Sequence, residues 1–132
     1  MARILVVEDN ILLRYTLAEW LRIDGHDVVE AASTDEATTI LASPLGTDLV
    51  ITDVEVPGSF DGLELAERIR RTSPMLPVIV VSGRGFTDRL QMVHVAAFFP
   101  KPYDLAQLSS FIMTLLHSAD APAERAAKGG SA

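Results

Sequence analysis

Residues Ile51 to Gly62 read "ITDVEVPGSFDG". The stretch closes an apolar run, "LVITD", on a carboxylate and then breaks into a loop with Pro, Gly and two more acids. A buried strand gains nothing by ending on an acid. Asp53 therefore reads as a residue placed at a strand end for its chemistry.

The chain around it alternates strands and helices. "RILVVE" (Arg3 to Glu8) is a continuous apolar, β-branched run suited to a strand buried on both faces. Ile11 to Asp24 reads as a helix with Leu13, Leu17, Trp20 and Leu21 on one face and Gly25 as its stop. "DVVEA" (Asp27 to Ala31) is a second strand, and Ser33 with Glu36 has capping-box spacing for a helix to about Ala42. "DLVITD" is the third strand, "GLELAERIRRT" (Gly62 to Thr72) an amphipathic helix, and "PVIVVS" the fourth strand. Gly83 to Val95 holds only a weak helical signal. "AAFFP" is a fifth strand whose Pro100 suits a sheet edge. Asp104 and Gln107 then open a helix to about His117, striped by Leu105, Leu108, Phe111, Ile112, Leu115 and Leu116.

Such alternation implies a parallel sheet covered on both faces. The expected division is one domain over 1–118 and a flexible tail over 119–132, which lacks core-forming residues.

Bulk properties narrow the function classes. The chain has 132 residues, 48% hydrophobic and 22% charged, which is ordinary globular composition for one domain. A net charge of -7 argues against a nucleic-acid surface, and the absence of cysteine excludes disulfides and thiolate metal sites. "MARILVVEDN" is too short an apolar run for a signal peptide or membrane span, so a cytoplasmic protein is expected.

In an open parallel sheet, functional groups gather beyond the carboxyl ends of the strands. Here those ends carry Glu8-Asp9, Asp53, Ser82 and Lys101. Three carboxylates meeting there would repel one another unless a hard divalent cation neutralises them. Oxygen ligands with retained water favour Mg²⁺. Lys101 beside that cation makes a pocket for a phosphoryl group, to which Ser82 can donate its hydroxyl. Asp53 could then act as a nucleophile and carry an acyl phosphate. Singly, each acid has a bland alternative: Asp9 could cap the first helix and Asp53 could open a turn.

Four motifs together, "VVEDN" (Val6 to Asn10), "ITDVEVP" (Ile51 to Pro57), "VSG" (Val81 to Gly83) and "FFPKP" (Phe98 to Pro102), resemble the receiver domains of bacterial two-component response regulators. The resemblance covers about residues 3 to 117. It implies a flavodoxin-like, doubly wound five-stranded sheet of order 2-1-3-4-5. It makes Asp53 the phosphoacceptor, with Asp9 and the Glu55 backbone carbonyl joining it on Mg²⁺ and Glu8 acting through water. Lys101 would bind the phosphoryl group, Ser82 and Phe98 would form the conformational switch, and Lys101–Pro102 would be cis. The implied partner is a histidine kinase or histidine phosphotransfer protein, docking on the first helix, where Ile11 and Tyr15 form an apolar surplus.

A single-domain regulator that is monomeric or a weak homodimer would act on a downstream protein or in a phosphorelay. The alternative is a degenerate receiver working as a phosphorylation-independent interaction module. A flavodoxin-type FMN carrier is rejected, because "EDN" after the first strand would repel the phosphate. Two departures from the pattern stand out. The loop before Asp61-Gly62 is one residue longer, with Pro57-Gly58 suited to a type II turn. The Ser82–Lys101 span is short, leaving room for only a brief, mobile fourth helix. Glu55 and Arg84 flank the pocket with opposite charges and could pair across its mouth.

Overall fold

A computed structural model of the chain describes residues 2–83 and 88–119, with side chains up to His117. The elements follow the expected order: β1 (Arg3–Val7), α1 (Ile11–Ile23), β2 (Asp27–Ala31), α2 (Thr34–Leu41), β3 (Leu49–Asp53), α3 (Gly62–Thr72), β4 (Val78–Ser82), α4 (Asp88–Gln91), β5 (Ala97–Pro100) and α5 (Leu105–Ala119). All five strands run parallel in the order β2-β1-β3-β4-β5, a doubly wound flavodoxin-like sheet. Pro100 lies on the edge strand β5, where its missing N–H breaks no inner ladder.

The period-2 alternation of the strands divides the core into two layers. Ile4, Val6, Leu49, Ile51, Ile79 and Val81 face α1 and α5, where Leu17, Leu21, Leu108 and Ile112 cover them. Leu5, Val7, Val50, Val78 and Val80 face the other way, onto Leu63, Leu65, Ala66 and Ile69 of α3 and Leu90 of α4. Burial on both faces is what makes the inner strands read as unbroken apolar runs.

The helix ends carry the expected chemistry. The Ser33 hydroxyl accepts from the Glu36 N–H at 3.1 Å, while the Glu36 carboxylate reaches back to the Ala32 N–H at 2.7 Å. Asp104 accepts from the N–H groups of Ala106 and Gln107 at the head of α5. At the tail of α1, the N–H groups of Gly25 and His26 donate to the carbonyls of Arg22 and Leu21, a Schellman closure. α5 runs past His117 to Ala119, so the helix reaches into the segment expected to be tail; residues 120–132 lie outside the described residues.

One apolar stripe is corrected. In α1 the buried residues are Leu17, Ala18 and Leu21, whereas Leu13 is 43% and Trp20 39% exposed. The first turn of α1 overhangs the sheet, since β1 has already ended at Val7, and Trp20 sits on the flank of the stripe. The expected type II turn is also modified. Gly58 does have positive φ (132°), but the Pro57 carbonyl accepts from the Thr34 N–H at 3.0 Å. The Thr34 hydroxyl donates to the Phe60 carbonyl at 2.6 Å, and Ser59 donates through its N–H and hydroxyl to Asp35. The longer loop is thus moored on the head of α2.

Asp61-Gly62 sets α3 against the end of β3. Asp61 caps the helix by accepting from the Glu64 N–H at 3.0 Å, and the Gly62 N–H donates to the Val54 carbonyl at 2.9 Å. A Cβ on Gly62 would fall far inside contact distance of the Asp53 carbonyl oxygen. Gly62→Ala is therefore expected to lower stability by about 1–3 kcal/mol through overpacking, read as a lower urea midpoint at unchanged slope.

The fourth helix is short, as the Ser82–Lys101 spacing implies, although residues 84–87 lie outside the described residues. Arg89 ties it to α3 through a bidentate pair with Asp61, at 2.5 and 2.8 Å. The hydrogen bond from Arg89 holds the Asp61 carboxyl below the ordinary aspartate range. Because the folded value is depressed, this stabilisation is present above the ordinary aspartate pKa of about 3.9 and is lost as pH falls through the lowered value. The pair is half exposed, so it contributes under about 1 kcal/mol globally. Its local effect is larger. In Arg89→Ala, amide exchange of residues 88–95 should accelerate while that of α3 stays unchanged.

Candidate phosphoryl-acceptor site

The register of the sheet builds the pocket. β1 pairs with β3 through Val6↔Ile51 and Val7↔Thr52, so the next residues, Glu8 and Asp53, emerge side by side at the carboxyl end of the sheet. Both continue the parity of Val6 and Ile51 and so leave the sheet on the same side. Both are buried, at 6% and 7% exposure. On the far side β4 pairs with β5 through Ser82↔Pro100, and the Lys101 N–H donates to the Ser82 carbonyl at 2.9 Å. This brings Lys101 back over the pocket, after which the chain turns through a cis Lys101–Pro102 peptide.

Lys101 Nζ donates to Glu8 Oε1 at 2.8 Å and to Asp53 Oδ2 at 2.7 Å. Asp53 Oδ1 accepts from the Glu55 N–H at 3.2 Å, and Glu8 Oε2 accepts from the Asn10 N–H at 3.1 Å. Asp53 therefore does open a turn, with one oxygen, while the other faces the pocket. Asp9 is exposed and does not cap α1. That position belongs to Asn10, whose Oδ1 accepts from the Leu13 N–H.

The electrostatics follow from burial. Burial pushes the Glu8 carboxyl above the ordinary glutamate range, with the Asp53 charge adding and the Lys101 and Asn10 hydrogen bonds offsetting. Burial alone would lower the Lys101 ammonium, but hydrogen bonds to Asp53 and Glu8 outweigh it and hold the group above its usual value. Tyr103, the next residue after Pro102, has its phenol raised by burial.

Glu8, Asp9 and Asp53 each present a carboxylate oxygen, and these oxygens lie within 4.8 Å of one another. Two oxygens on opposite sides of an octahedral Mg²⁺ are about 4.2 Å apart, so small side-chain shifts suffice to bring all three onto one ion. The donor set is all hard oxygen, and three carboxylates against one ammonium leave the pocket negative. These residues fit a divalent cation.

Ser82 is buried at the end of β4. Phe98 is half-buried, on the layer shared with Leu90, Val93 and Val95. The register Val80↔Phe98 and Ser82↔Pro100 puts Ser82 and Phe98 on the same side of the sheet, the side of α4. Glu55 is exposed at the rim, and Arg84, its expected partner, lies outside the described residues. Sequence reasoning missed Arg14, whose Nη1 donates to the Glu8 carbonyl at 2.9 Å. Its single clue is its place one turn into the helix that follows an acid-ended strand.

A family model for the response regulator receiver domain matches residues 4–113. The chain belongs to that family. It is 35% identical over 119 residues to the virulence transcriptional regulatory protein PhoP of Salmonella typhimurium, covering 88% of this chain and 52% of that protein. The transcriptional regulatory protein PdtaR of Mycobacterium tuberculosis is 33% identical over 108 residues, covering 80% and 52%. The chain thus spans about half the length of these curated relatives. Among solved structures, the non-phosphorylated HemR receiver domain of Leptospira biflexa superposes with a TM-score of 0.77 at 33% identity, covering 87% of this chain and 94% of that one. A response regulator receiver domain protein of Clostridium thermocellum gives 0.81 at 26% identity, covering 91% and 98%. Among the described residues, no helix of this receiver is long and apolar enough to cross a membrane.

The unequal settings of the two acids lead to a test by metal titration. Asp9 is exposed and adaptable, whereas Glu8 is already engaged by Lys101 and the Asn10 N–H. Asp9→Ala should weaken Mg²⁺ binding more than Glu8→Ala does in the same calorimetric titration, and equal affinities would remove Asp9 from the direct ligands.

Proposed function

We propose that this receiver accepts a phosphoryl group on Asp53 from the phosphohistidine of a histidine kinase or phosphotransfer protein, in the cytoplasm. The observation that carries the reading is the meeting of Glu8, Asp9 and Asp53 with the Lys101 ammonium at the carboxyl end of the sheet.

Asp53 has the posture of a nucleophile. Its Oδ1 is oriented by the Glu55 N–H, and only Lys101 need shift to release Oδ2. In the transfer, a carboxylate oxygen of Asp53 bonds to phosphorus as the P–N bond to the partner's imidazole breaks. The electron pair of that bond leaves with the imidazole, which takes a proton from solvent. The Lys101 ammonium moves from the carboxylates to a phosphoryl oxygen, where it neutralises charge that grows in the transition state. Asp9, Asp53 and the Glu55 carbonyl would hold Mg²⁺ directly, and Glu8 through water. Bound there, the ion supplies Lewis-acid neutralisation of the phosphoryl oxygens. Loss of the signal is attack of water on phosphorus, returning the Asp53 carboxylate and inorganic phosphate. The protein thus assists both reactions on itself without turning over a separate substrate.

The partner's docking face is the head of α1, beside the pocket. Ile11 is 73%, Leu12 71% and Tyr15 56% exposed there, an apolar cluster on an otherwise acidic protein. Ser82 and Phe98, on the α4 side, would carry the switch. The receiver, monomeric or weakly dimeric, would deliver its output by contact with a downstream protein or by passing the phosphoryl group on.

Asp53→Asn is expected to keep the fold and abolish acyl-phosphate formation with acetyl phosphate and Mg²⁺. Intact-mass spectrometry checks this, and labelling of the variant at the wild-type level would move the acceptor elsewhere.

A further inference from the structure

Arg14 has no part in the chemistry above, yet it is tied directly to the pocket. Its side chain is only 18% exposed. One arm of the guanidinium, Nη1, donates to the Glu8 carbonyl at 2.9 Å, and Nε donates to Glu30 Oε1 at 3.1 Å. The other oxygen of Glu30 is held by Arg22 Nη2 at 3.1 Å, and Arg22 is itself anchored to Glu19 and to the Val28 carbonyl. The fork is therefore braced on β2 at one end and grips the main chain of a pocket acid at the other.

We propose that Arg14 is a positioning residue for the cation site, fixing the peptide between Glu8 and Asp9 and so the aim of both carboxylates. The Glu8 N–H is still held by the Ala31 carbonyl at 3.0 Å, continuing the ladder of β1 with β2. Beyond it the strand has ended, and rotation of the Glu8–Asp9 peptide would swing the exposed Asp9 carboxylate away from Asp53. Arg14 takes the carbonyl of that peptide. With N–H and C=O both engaged, the Glu8 main chain is fixed on either side of its Cα. A side chain in helix α1 can do this because it leans towards the helix N-terminus, which points at the pocket.

The charge of Arg14 acts in the opposite direction. A cation near a metal site repels the incoming ion, so by charge alone its removal would tighten Mg²⁺ binding. Positioning predicts weaker binding. Lysine separates the two, since it keeps the charge but cannot span Glu30 and the Glu8 carbonyl with a rigid fork.

The inference rests on reading Glu8, Asp9 and Asp53 as the Mg²⁺ site. The experiment is a calorimetric MgCl₂ titration of the full chain and of Arg14→Lys, Arg14→Met and Glu30→Gln, each with a urea unfolding curve. Both Arg14 variants are expected to lose roughly tenfold in Mg²⁺ affinity, as outer partners of metal ligands do. Glu30→Gln should fall in the same direction by less, and the Arg14→Met/Glu30→Gln double variant should be no weaker than Arg14→Met alone. Wild-type or tighter affinity in either Arg14 variant overturns the proposal, as does lost stability with intact affinity, which would make Arg14 a structural brace only. If neither Arg14 variant folds, Glu30→Gln decides: wild-type affinity there overturns the proposal. A wild-type chain that binds no Mg²⁺ overturns the reading of the site itself and this inference with it. Binding in the wild type with equal binding in the variants removes the role of Arg14 alone.

Discussion

The Lys101 ammonium, shared between Glu8 and Asp53, is the interaction on which the rest of the site depends. Two carboxylates buried on adjacent strand ends repel each other and lose their hydration, and neither cost is recovered by apolar packing. One ammonium at 2.7–2.8 Å from both offsets part of that repulsion. The arrangement needs three strands to end at the same height: β1 and β3 for the acids, and β5 for the lysine. The parallel register supplies that, so the chemistry follows from how the sheet is stacked rather than from any one loop. It also leaves the pocket short of positive charge, which is the property a divalent cation and a phosphoryl group can both exploit.

The two-layer core keeps those strand ends level. Residues of one parity are covered by α1 and α5, and those of the other by α2, α3 and α4, so a slip of one residue in β1 or β3 would turn Glu8 or Asp53 onto the opposite layer. Gly62 lets α3 rest against the last peptide of β3. Asp61 serves two neighbours from one carboxylate, capping α3 and gripping Arg89. The short α4 is thereby linked to the segment that carries Asp53, with Ser82 and Phe98 on the same side of the sheet.

Much of this was legible in the amino-acid sequence because it is written locally. The strands announce themselves as apolar runs, and the acids stand where those runs stop. The capping residues Ser33 and Asp104 sit three positions before Glu36 and Gln107. What escaped the reading is non-local. Leu13 and Trp20 keep helical spacing with Leu17 and Leu21, but periodicity does not say where the sheet beneath a helix ends. Arg14 and Glu30 lie on different elements, and nothing in either segment marks their pairing. The mooring of the longer loop by Thr34 and Asp35 is likewise a contact between distant stretches. Side chains that reach across elements leave no period in the sequence, so the scaffold was readable and its braces were not.

The mooring has a bearing on how such a chain can diverge. At Gly58 the backbone turns through a region that side chains rarely adopt, and a Cβ there would collide with the Thr34 hydroxyl. That hydroxyl in turn holds the Phe60 carbonyl. Positions 34 and 58 are therefore not free to drift separately. A larger residue at 58 requires both a different backbone path and a smaller side chain at 34. That change gives up the bond to Phe60, leaving the loop to the Thr34 N–H and Asp35. The longer loop and the head of α2 are coupled through one hydroxyl, and a change on either side is felt on the other.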